Sequence, residues 1–595
     1  ITSATFTTVF AFVPILMIQD ASGEFLKSMP VTVIVTVLAS LLVALTFSPY
    51  LASRFFKASA FEKKTAIQRW FDQLIAGPYR KILAWVLHWP KVSVLMAFVL
   101  FAGSLFLFPL IGLSFFPKAE KPIFLLNIEL PVGSSIDETD RVVKMVENEL
   151  QANYPEVKHF ASNVGRDNPK IYYNIFPSER VEYSGQLLVE LTSYDPEDFR
   201  ETVERIDQQF ANYPGAEIYV QEFEQGAPVF APIAFRIIGR DIDVLRELGE
   251  EMKAIFESEP GTANVFNALK NNKTDLKVKV NKARAAALGV RIEAVNITLR
   301  TALGGVELSS FSDPRGNILD VTVGFEGRED FEVNDFEKLH VESVTGQLIP
   351  LQQIAALEFS SDPVLIRHYN FERSVAVSAD AKRGYNVNEV TERLEQKVAQ
   401  MQLPPGYRYI VSGQVASMGD AMNGIGQAAA LAFICIFAIL VLQFRSFGQP
   451  FIIFSAMPLA VIGSLIALYL SGYSASFTAF VGLTSLIGIV VNDSIILIDF
   501  ANQARRDGQS KLDAIKAAGE IRFVPIILTS LTTIGGLLPL TLRGGTLWAP
   551  MGWTIIGGLM TSTFLILLIV PALYQIFSAE DARFLKRKAT YEEDL

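Results

Sequence analysis

The sequence is short of the residues that metal proteins and disulfide-stapled domains depend on. Among 595 residues there is one cysteine, Cys435, and it sits inside an apolar run. That excludes a disulfide framework and a cysteine-based metal site. The four histidines (His88, His159, His340 and His368) are scattered, without the close spacing that brings two imidazoles to one metal. No phosphate-cradling glycine loop or nucleophile–base pattern occurs, so the expectation is a non-enzyme with no cofactor. Positive charge is also scarce: 52 lysines and arginines face 62 acids, a net charge of −10. With no basic patch interleaved with aromatics, no nucleic-acid partner is expected. The chain starts at Ile1, inside an apolar run with no basic stretch ahead of it. That pattern fits neither a signal peptide nor a natural start, and the expectation is the C-terminal part of a longer protein.

What the sequence has instead is apolar length. A hydrophobic content of 50% conceals a split between apolar runs and one long polar block. The runs lie at about 1–18, 30–52, 90–112, 426–444, 449–471, 478–501, 522–542 and 552–577. A helix of about 20 apolar residues crosses a bilayer, so the fold class expected is an α-helical polytopic membrane protein of about eight spans. Basic residues gather at Arg54, Lys57, Lys63, Lys64, Arg69, Arg80 and Lys81, at Arg505-Arg506, and in the tail at Arg583, Lys586, Arg587 and Lys588. Alternate threading puts all three groups on one side, which the positive-inside rule makes cytoplasmic. The block at 113–420 then lies outside and the C-terminus inside. Trp70, Trp85 and Trp89 fall on the cytoplasmic segment 53–89, read as an amphipathic interfacial helix, and Trp548 and Trp553 mark the outer end of the last span. Membrane lipids are the first expected partners.

One span departs from the rest. Gly482–Phe500 carries Asn492 and Asp493 well inside it, where an acid costs about 2.5–3.5 kcal/mol on insertion scales. At helical spacing Ser485, Gly488, Asn492 and Asp499 form a stripe, with Asp493 about 100° round from Asn492. The next span repeats the pattern with Arg522, Pro525, Thr529, Thr532, Thr533 and Gly536. Facing polar stripes read as an ion path; the plainer alternative is close helix packing by small and hydroxyl residues. A repeat also joins the two ends: Thr7-Thr8 through Pro14 matches Thr532-Thr533 through Pro539, the duplication seen in secondary transporters.

The outer block reads as four βαβ units, near 124–157, 186–222, 233–266 and 374–411, three of whose helices are followed by Pro-Gly stops. Four such units make two ferredoxin-like subdomains, placing an α+β insertion on the membrane helices. The expected organisation is spans at 1–52, the interfacial helix at 53–89 and a span at 90–112. A first subdomain at 113–232 follows, then a second at 233–275 plus 361–420, an insertion at 276–360, five spans at 421–577 and a tail at 578–595. A loop with Ile171, Tyr172, Tyr173 and Phe176, and a second with Phe230, offer aromatic walls for small apolar substrates.

These segments resemble the resistance-nodulation-cell division (RND) transporters, specifically the inner-membrane pump of tripartite drug efflux systems. The resemblance runs over essentially the whole chain. It rests on Gly482–Phe500, on Arg522, Pro525, Thr529, Ser530 and Pro539, on Val280–Val290, on Gly346–Leu351 and on Ile366–Asn370. It implies that Ile1 begins the family's fifth membrane helix, that the outer block is a porter half with a docking insertion at 276–360, and that the pump works as a homotrimer. It also implies a periplasmic adaptor, an outer-membrane channel, a Gram-negative inner-membrane location and proton-driven export of apolar or amphipathic compounds. The family's relay uses two aspartates on the fourth helix, a lysine on the tenth, and an arginine and a threonine on the eleventh. Arg522 and Thr529 match the last two, Asn492 stands at the lysine position, and Asp493 follows where many members carry an amide. Two alternatives remain: a non-drug machine of the same architecture (protein-export aid, lipid transporter or sensor), and metal-ion efflux. The second would want paired methionines or histidines, whereas Met145, Met252 and Met401 stand alone.

Overall fold

A computed structural model describes residues 2–18, 20–55, 66–177, 180–211, 213–269, 272–326, 331–382 and 384–578. The basic residues Lys57, Lys63 and Lys64, and the tail residues Arg583 to Lys588, lie outside them. Among the described residues, seven helices are long and apolar enough to cross a membrane: Ser28–Phe55, Pro90–Ile111, Gly413–Phe444, Gly448–Ser471, Phe477–Arg506, Lys511–Arg543 and Gly545–Phe577. The run at 1–18 forms a shorter apolar helix, α-helical over Thr2–Phe12 and tightened to a 3-10 helix over Val13–Met17. Pro14 lacks the N–H that would continue the α ladder, and Asp20 then caps a new helix by accepting from the Gly23 N–H at 2.6 Å. Its repeat counterpart Pro539 stays inside the continuous Lys511–Arg543 helix. The two segments therefore share a sequence pattern but not a local fold.

The Phe477–Arg506 and Gly545–Phe577 helices form the centre of the bundle, each 72% buried over its most apolar stretch, whereas Ser28–Phe55 and Lys511–Arg543 are 0% and 17% buried. Small residues bring the central backbones together: a Cβ on Gly463 would lie 2.0 Å from the Gly557 carbonyl oxygen. The interfacial segment is not one regular helix. It runs as Ala66–Leu74, a π turn at Ile75–Tyr79 around Pro78, and Arg80–His88. It grips the bundle through Tyr79, whose hydroxyl donates to the Leu567 carbonyl at 3.1 Å, and through the Arg80–Glu520 pair at 2.6 Å. Trp70, Trp85 and Trp89 remain exposed.

The polar block is α+β. Its first sheet contains β1 (Ile123–Glu129), β2 (Val157–Val164), β3 (Ser184–Leu191) and β4 (Glu217–Glu222), all antiparallel neighbours in the order β2-β3-β1-β4. Helices Ile136–Asn153 and Pro196–Phe210 pack Val142, Val146, Leu150, Phe199 and Ile206 on Phe124, Leu126 and Ile128. Both helices start at caps legible in the sequence, Ser135 and Asp195, whose side chains accept from free N–H groups of the first turn. The second half opens with β5 (Ile233–Ile238) and β6 (Thr262–Asn267). The chain then leaves along β7 (Asn272–Val280), forms the hairpin β8 (Val306–Ser312)–β9 (Ile318–Val323) and the pair β10 (His340–Glu342)–β11 (Leu348–Pro350), and returns along β12 (Ala355–Pro363). β7 and β12 pair as a two-stranded stem, above which Val295, Phe336, Val341, Leu351 and Ile354 make a separate core. β13 (Arg367–Tyr369), β14 (Glu372–Ala381) and β15 (Arg408–Ser412) complete the second sheet in the order β13-β14-β5-β15, with β6 also on β14.

The block meets the bundle through a short antiparallel neck. Ala119 N–H donates to the Phe223 carbonyl at 2.7 Å and Gln225 N–H to the Pro117 carbonyl at 2.9 Å. Beside it, Glu120 accepts from the Thr546 N–H at the start of the last long helix, and Ser114 and Ser474 hydroxyls bond at 2.6 Å.

Candidate functional site

Asp493 lies deep in the Phe477–Arg506 helix with 4% of its surface exposed. Its Oδ1 accepts one hydrogen bond from a side chain among the described residues, from the Thr529 hydroxyl at 3.4 Å. That hydroxyl is closer to its own helix, lying 2.8 Å from the Ile526 carbonyl. A carboxylate can accept about four hydrogen bonds, so this acid is thinly supported. Asn492 is half-buried, and its Oδ1 has no hydrogen-bond partner among the described residues; the same holds for the Ser494 hydroxyl. Arg522 stacks its guanidinium on the Phe500 ring at 5.1 Å, with its Nε unbonded.

Of the four residues predicted for an ion path, the structure brings together Asp493 and Thr529. Arg522 lies seven residues from Thr529, about 10 Å along the helix axis, and engages Phe500 instead. Thr532 and Thr533 bond back to the Thr529 carbonyl at 2.9 Å, and Asp499 is exposed. Gly488, also on the predicted stripe, serves packing. A Cβ on Gly488 would lie 2.7 Å from the Ala11 Cβ, and the Thr8 hydroxyl reaches the Gly488 carbonyl at 3.4 Å. Ser530 and Thr563 hydroxyls, 2.6 Å apart, tie the Lys511–Arg543 helix to the last one.

A second polar group on the same helix was not anticipated from sequence. Asn502 exchanges two amide bonds with Gln449 at 3.0 and 3.1 Å and accepts from the Tyr574 hydroxyl at 2.8 Å. Arg505, 2% exposed, donates to Tyr574 Oη at 3.4 Å and to the Ser578 hydroxyl at 3.1 Å, while Lys511 donates to the Ser578 carbonyl. The available signal was spacing: Ile495, Ile498, Asn502 and Arg505 recur about one turn apart, on a face whose apolar members are buried. Counting Arg505 as a topology charge concealed it.

The aromatic loops meet at the junction of block and bundle. Tyr172 packs on Tyr173 (4.7 Å between centroids) and on Phe223 (4.9 Å), and Tyr173 stacks on Phe25 at 5.9 Å. The loops are stitched by Gly226, whose N–H donates to Tyr173 Oη at 2.6 Å, and by Asn174, which donates to the Glu224 and Gly226 carbonyls. Gly226 has φ +88°, and a Cβ there would strike the Phe116 ring, so glycine is required. Burial pushes the Tyr172 hydroxyl up to about 12, keeping it neutral at physiological pH. Ile171, Tyr173, Phe176 and Phe230 are exposed; Lys170 lies 4.3 Å over the Phe176 ring.

The comparisons with known proteins agree on one family. The model of the AcrB/AcrD/AcrF family matches residues 1–578. The swarming motility protein SwrC of Bacillus subtilis (strain 168) is 26% identical over 599 residues, covering 100% of this chain and 55% of its own length. The multidrug resistance protein MdtC is 26% identical over 605 residues in Citrobacter koseri, covering 99% of this chain and 57% of its own length. MdtC of Escherichia coli (strain K12 / DH10B) is 26% identical over 599 residues, covering 98% and 57%. The chain therefore spans somewhat more than half the length of these curated relatives. It belongs to the AcrB/AcrD/AcrF family of RND membrane transporters.

Proposed function

We propose that the chain supplies the proton-responsive helices and the substrate-handling block of a secondary active efflux transporter. Such a pump exports apolar or amphipathic compounds in exchange for protons. The observation that carries this reading is the buried Asp493 with, among the described residues, a single side-chain donor, Thr529, on the neighbouring helix. A group this thinly bonded changes charge and partner with little else to rearrange, as a transport step requires. In this reading Asp493 takes and releases the proton, Thr529 donates to its charged form, and Asn492 and Arg522 serve partners contributed by other helices. Orphaned polar atoms on Asn492 and Arg522 support that assignment.

The proposed organisation follows the same reading. Thr2–Met17 is an eighth span, the C-terminus is cytoplasmic and the block is periplasmic, in a Gram-negative inner membrane. The two sheets are ferredoxin-like porter subdomains at 113–232 and at 233–275 plus 361–420, with the docking insertion at 276–360 between them. The loops bearing Ile171, Tyr172, Tyr173, Phe176 and Phe230 form one wall of the substrate cleft. A homotrimer, with a periplasmic adaptor and an outer-membrane channel, completes the pump. The β8–β9 hairpin supports self-association, because Leu308, Phe311, Ile318 and Leu319 are all exposed along it. A second reading, export serving a purpose other than drug resistance, is favoured by the similarity to a swarming motility protein.

Drug susceptibility of a pump-deficient host carrying the full-length parent tests the proposal, with Asp493→Asn compared at matched expression. Resistance from the parent and sensitivity from the variant are expected. Equal resistance from both removes Asp493 from the coupling path. A parent that protects against no compound shifts the reading to non-drug export.

A further inference from the structure

We infer that Tyr79 of the interfacial segment is a positioning residue for the transport site, a role that rests on the proton path proposed above. Wedged between the last two long helices, it fixes the stretch of Lys511–Arg543 that carries Arg522 and so holds Thr529 where it meets Asp493. The origin of this contact is a proline. Pro571 sits inside the last helix and has no N–H, so the Leu567 carbonyl one turn earlier loses its helical donor. The Tyr79 hydroxyl donates in its place at 3.1 Å, with Tyr79 itself 6% exposed. The ring is delivered by the π turn at Ile75–Tyr79, a departure from regular helix that is frequent at functional sites.

The same ring meets the Lys511–Arg543 helix. Its centroid lies 4.6 Å from that of Phe523. Gly519, one turn before Phe523, leaves the space it occupies: a Cβ there would lie 2.5 Å from the Tyr79 hydroxyl oxygen. Beside it Arg80 makes a two-point pair with Glu520, at 2.6 and 2.7 Å. Tyr79 thus donates a hydrogen bond to one long helix and packs its ring on the other. An anchor for the interfacial segment alone would need only one of these contacts.

Position makes the wedge matter for Thr529. Lys511–Arg543 is lightly held, 17% buried over its most apolar stretch against 72% for the last helix. Side chains tie it to the last helix at Ser530–Thr563, and its first residue, Lys511, donates to the Ser578 carbonyl. Between those ties lie about 28 Å of helix, and Tyr79 is wedged within that stretch. There Arg522 and Phe523 share a turn, the first stacked on Phe500 of the Asp493 helix and the second against Tyr79. Thr529 follows less than two turns later, next to Ser530. A rotation of about 20° about the helix axis moves a side-chain atom by about 2 Å. The Thr529 bond to Asp493, already 3.4 Å long, does not survive that displacement.

The test pairs structure with transport in the full-length protein. Tyr79→Phe keeps the ring against Phe523 and removes only the hydroxyl. In nanodiscs, hydrogen exchange over 515–527 is expected to rise about threefold in the variant, the scale of one modest hydrogen bond, with 547–559 unchanged. Efflux of the apolar dye N-phenylnaphthylamine from a pump-deficient host should also fall about threefold. In a Thr529→Val background the same change should cost nothing further, because no hydroxyl is left to place. Gly519→Ala, whose methyl displaces the Tyr79 hydroxyl, should impair efflux more in the wild type than in Tyr79→Phe. Unchanged exchange over 515–527 overturns the inference. So does an equal loss of efflux in both Thr529 backgrounds, which makes Tyr79 an anchor alone. Thr529→Val with wild-type efflux instead sinks the proton path, and faster exchange in Tyr79→Phe then still upholds the pin.

Discussion

Asp493 and Asn502 sit on one helix, 4% and 5% exposed, and are supported in opposite ways. Asn502 has Gln449 on both ends of its amide and the Tyr574 hydroxyl on its oxygen, and the Arg505 guanidinium extends the network to Ser578. Among the described residues, Asp493 has one long side-chain bond, from Thr529. Buried polar groups with full complements of partners fix a structure, and those without them are the exceptions that need a functional reason. The Asn502 cluster joins the central helix, the Gly448–Phe454 helix and the end of the last helix into one rigid corner. Asp493 is left able to change partner above that corner. Position in the bundle does not separate the two groups; hydrogen-bond saturation does.

The sharpest test of this contrast exchanges what is lost. Asp493→Asn is expected to cut transport by the full-length pump by more than about tenfold, the order contributed by a proton-transfer group. Its thermal midpoint should barely change, because an amide fits the same space. Asn502→Leu should do the reverse. It strands Gln449 and the Tyr574 hydroxyl, costing about 2–3 kcal/mol, while transport per folded molecule is retained. Measured midpoints and uptake rates in proteoliposomes separate the two; a stability loss at Asp493 with none at Asn502 breaks the comparison. Thr529→Val is smaller, removing a single long hydrogen bond. Loss of roughly 1 kcal/mol should lower transport about fivefold, and Thr529→Ser should restore it.

Much of this was legible in the sequence because the governing signals are local. Helix caps at Ser135, Asp195, Asp241 and Asn386 are residue types that favour that position, and each accepts from a first-turn N–H group. Alternation and Pro-Gly stops place the strands of both sheets. The intramembrane acid declares itself by its cost. What sequence could not supply is rotation of one helix about its axis relative to another. Arg522 and Thr529 share a spacing pattern, yet one stacks on Phe500 and the other reaches Asp493. The Thr7–Pro14 and Thr532–Pro539 repeat misleads for a related reason. Whether a proline ends a helix depends on the residues C-terminal to it, and the cap at Asp20 has no counterpart after Pro539.

The same contrast between paired and thinly supported acids extends outside the membrane, where it predicts opposite responses to acid. Glu259 closes the helix before β6 and is 4% exposed. Burial acts to raise its carboxyl, but hydrogen bonds from Lys397 and Arg393, both 2.8 Å, outweigh burial and hold it below the ordinary range. Its stabilisation is present above the unfolded carboxylate pKa and is lost as pH falls through the lower folded value. Asp207, beside β4 in the first sheet, is raised by burial, with the Val220 N–H opposing and Glu204 reinforcing. Its charge costs stability at neutral pH, and that cost is relieved as pH falls through its raised folded value. Acidification should therefore loosen β6 relative to β4. The effect is modest, about 1 kcal/mol, because Arg393 and Lys397 are each 41% exposed and screened. Hydrogen exchange of the full-length protein at pH 7 and pH 4, corrected for intrinsic rates, reads the difference at Thr262–Asn267 against Glu217–Glu222. Glu259→Gln should flatten the response of β6 and leave that of β4 intact; an unchanged β6 response in the variant removes Glu259 as its cause.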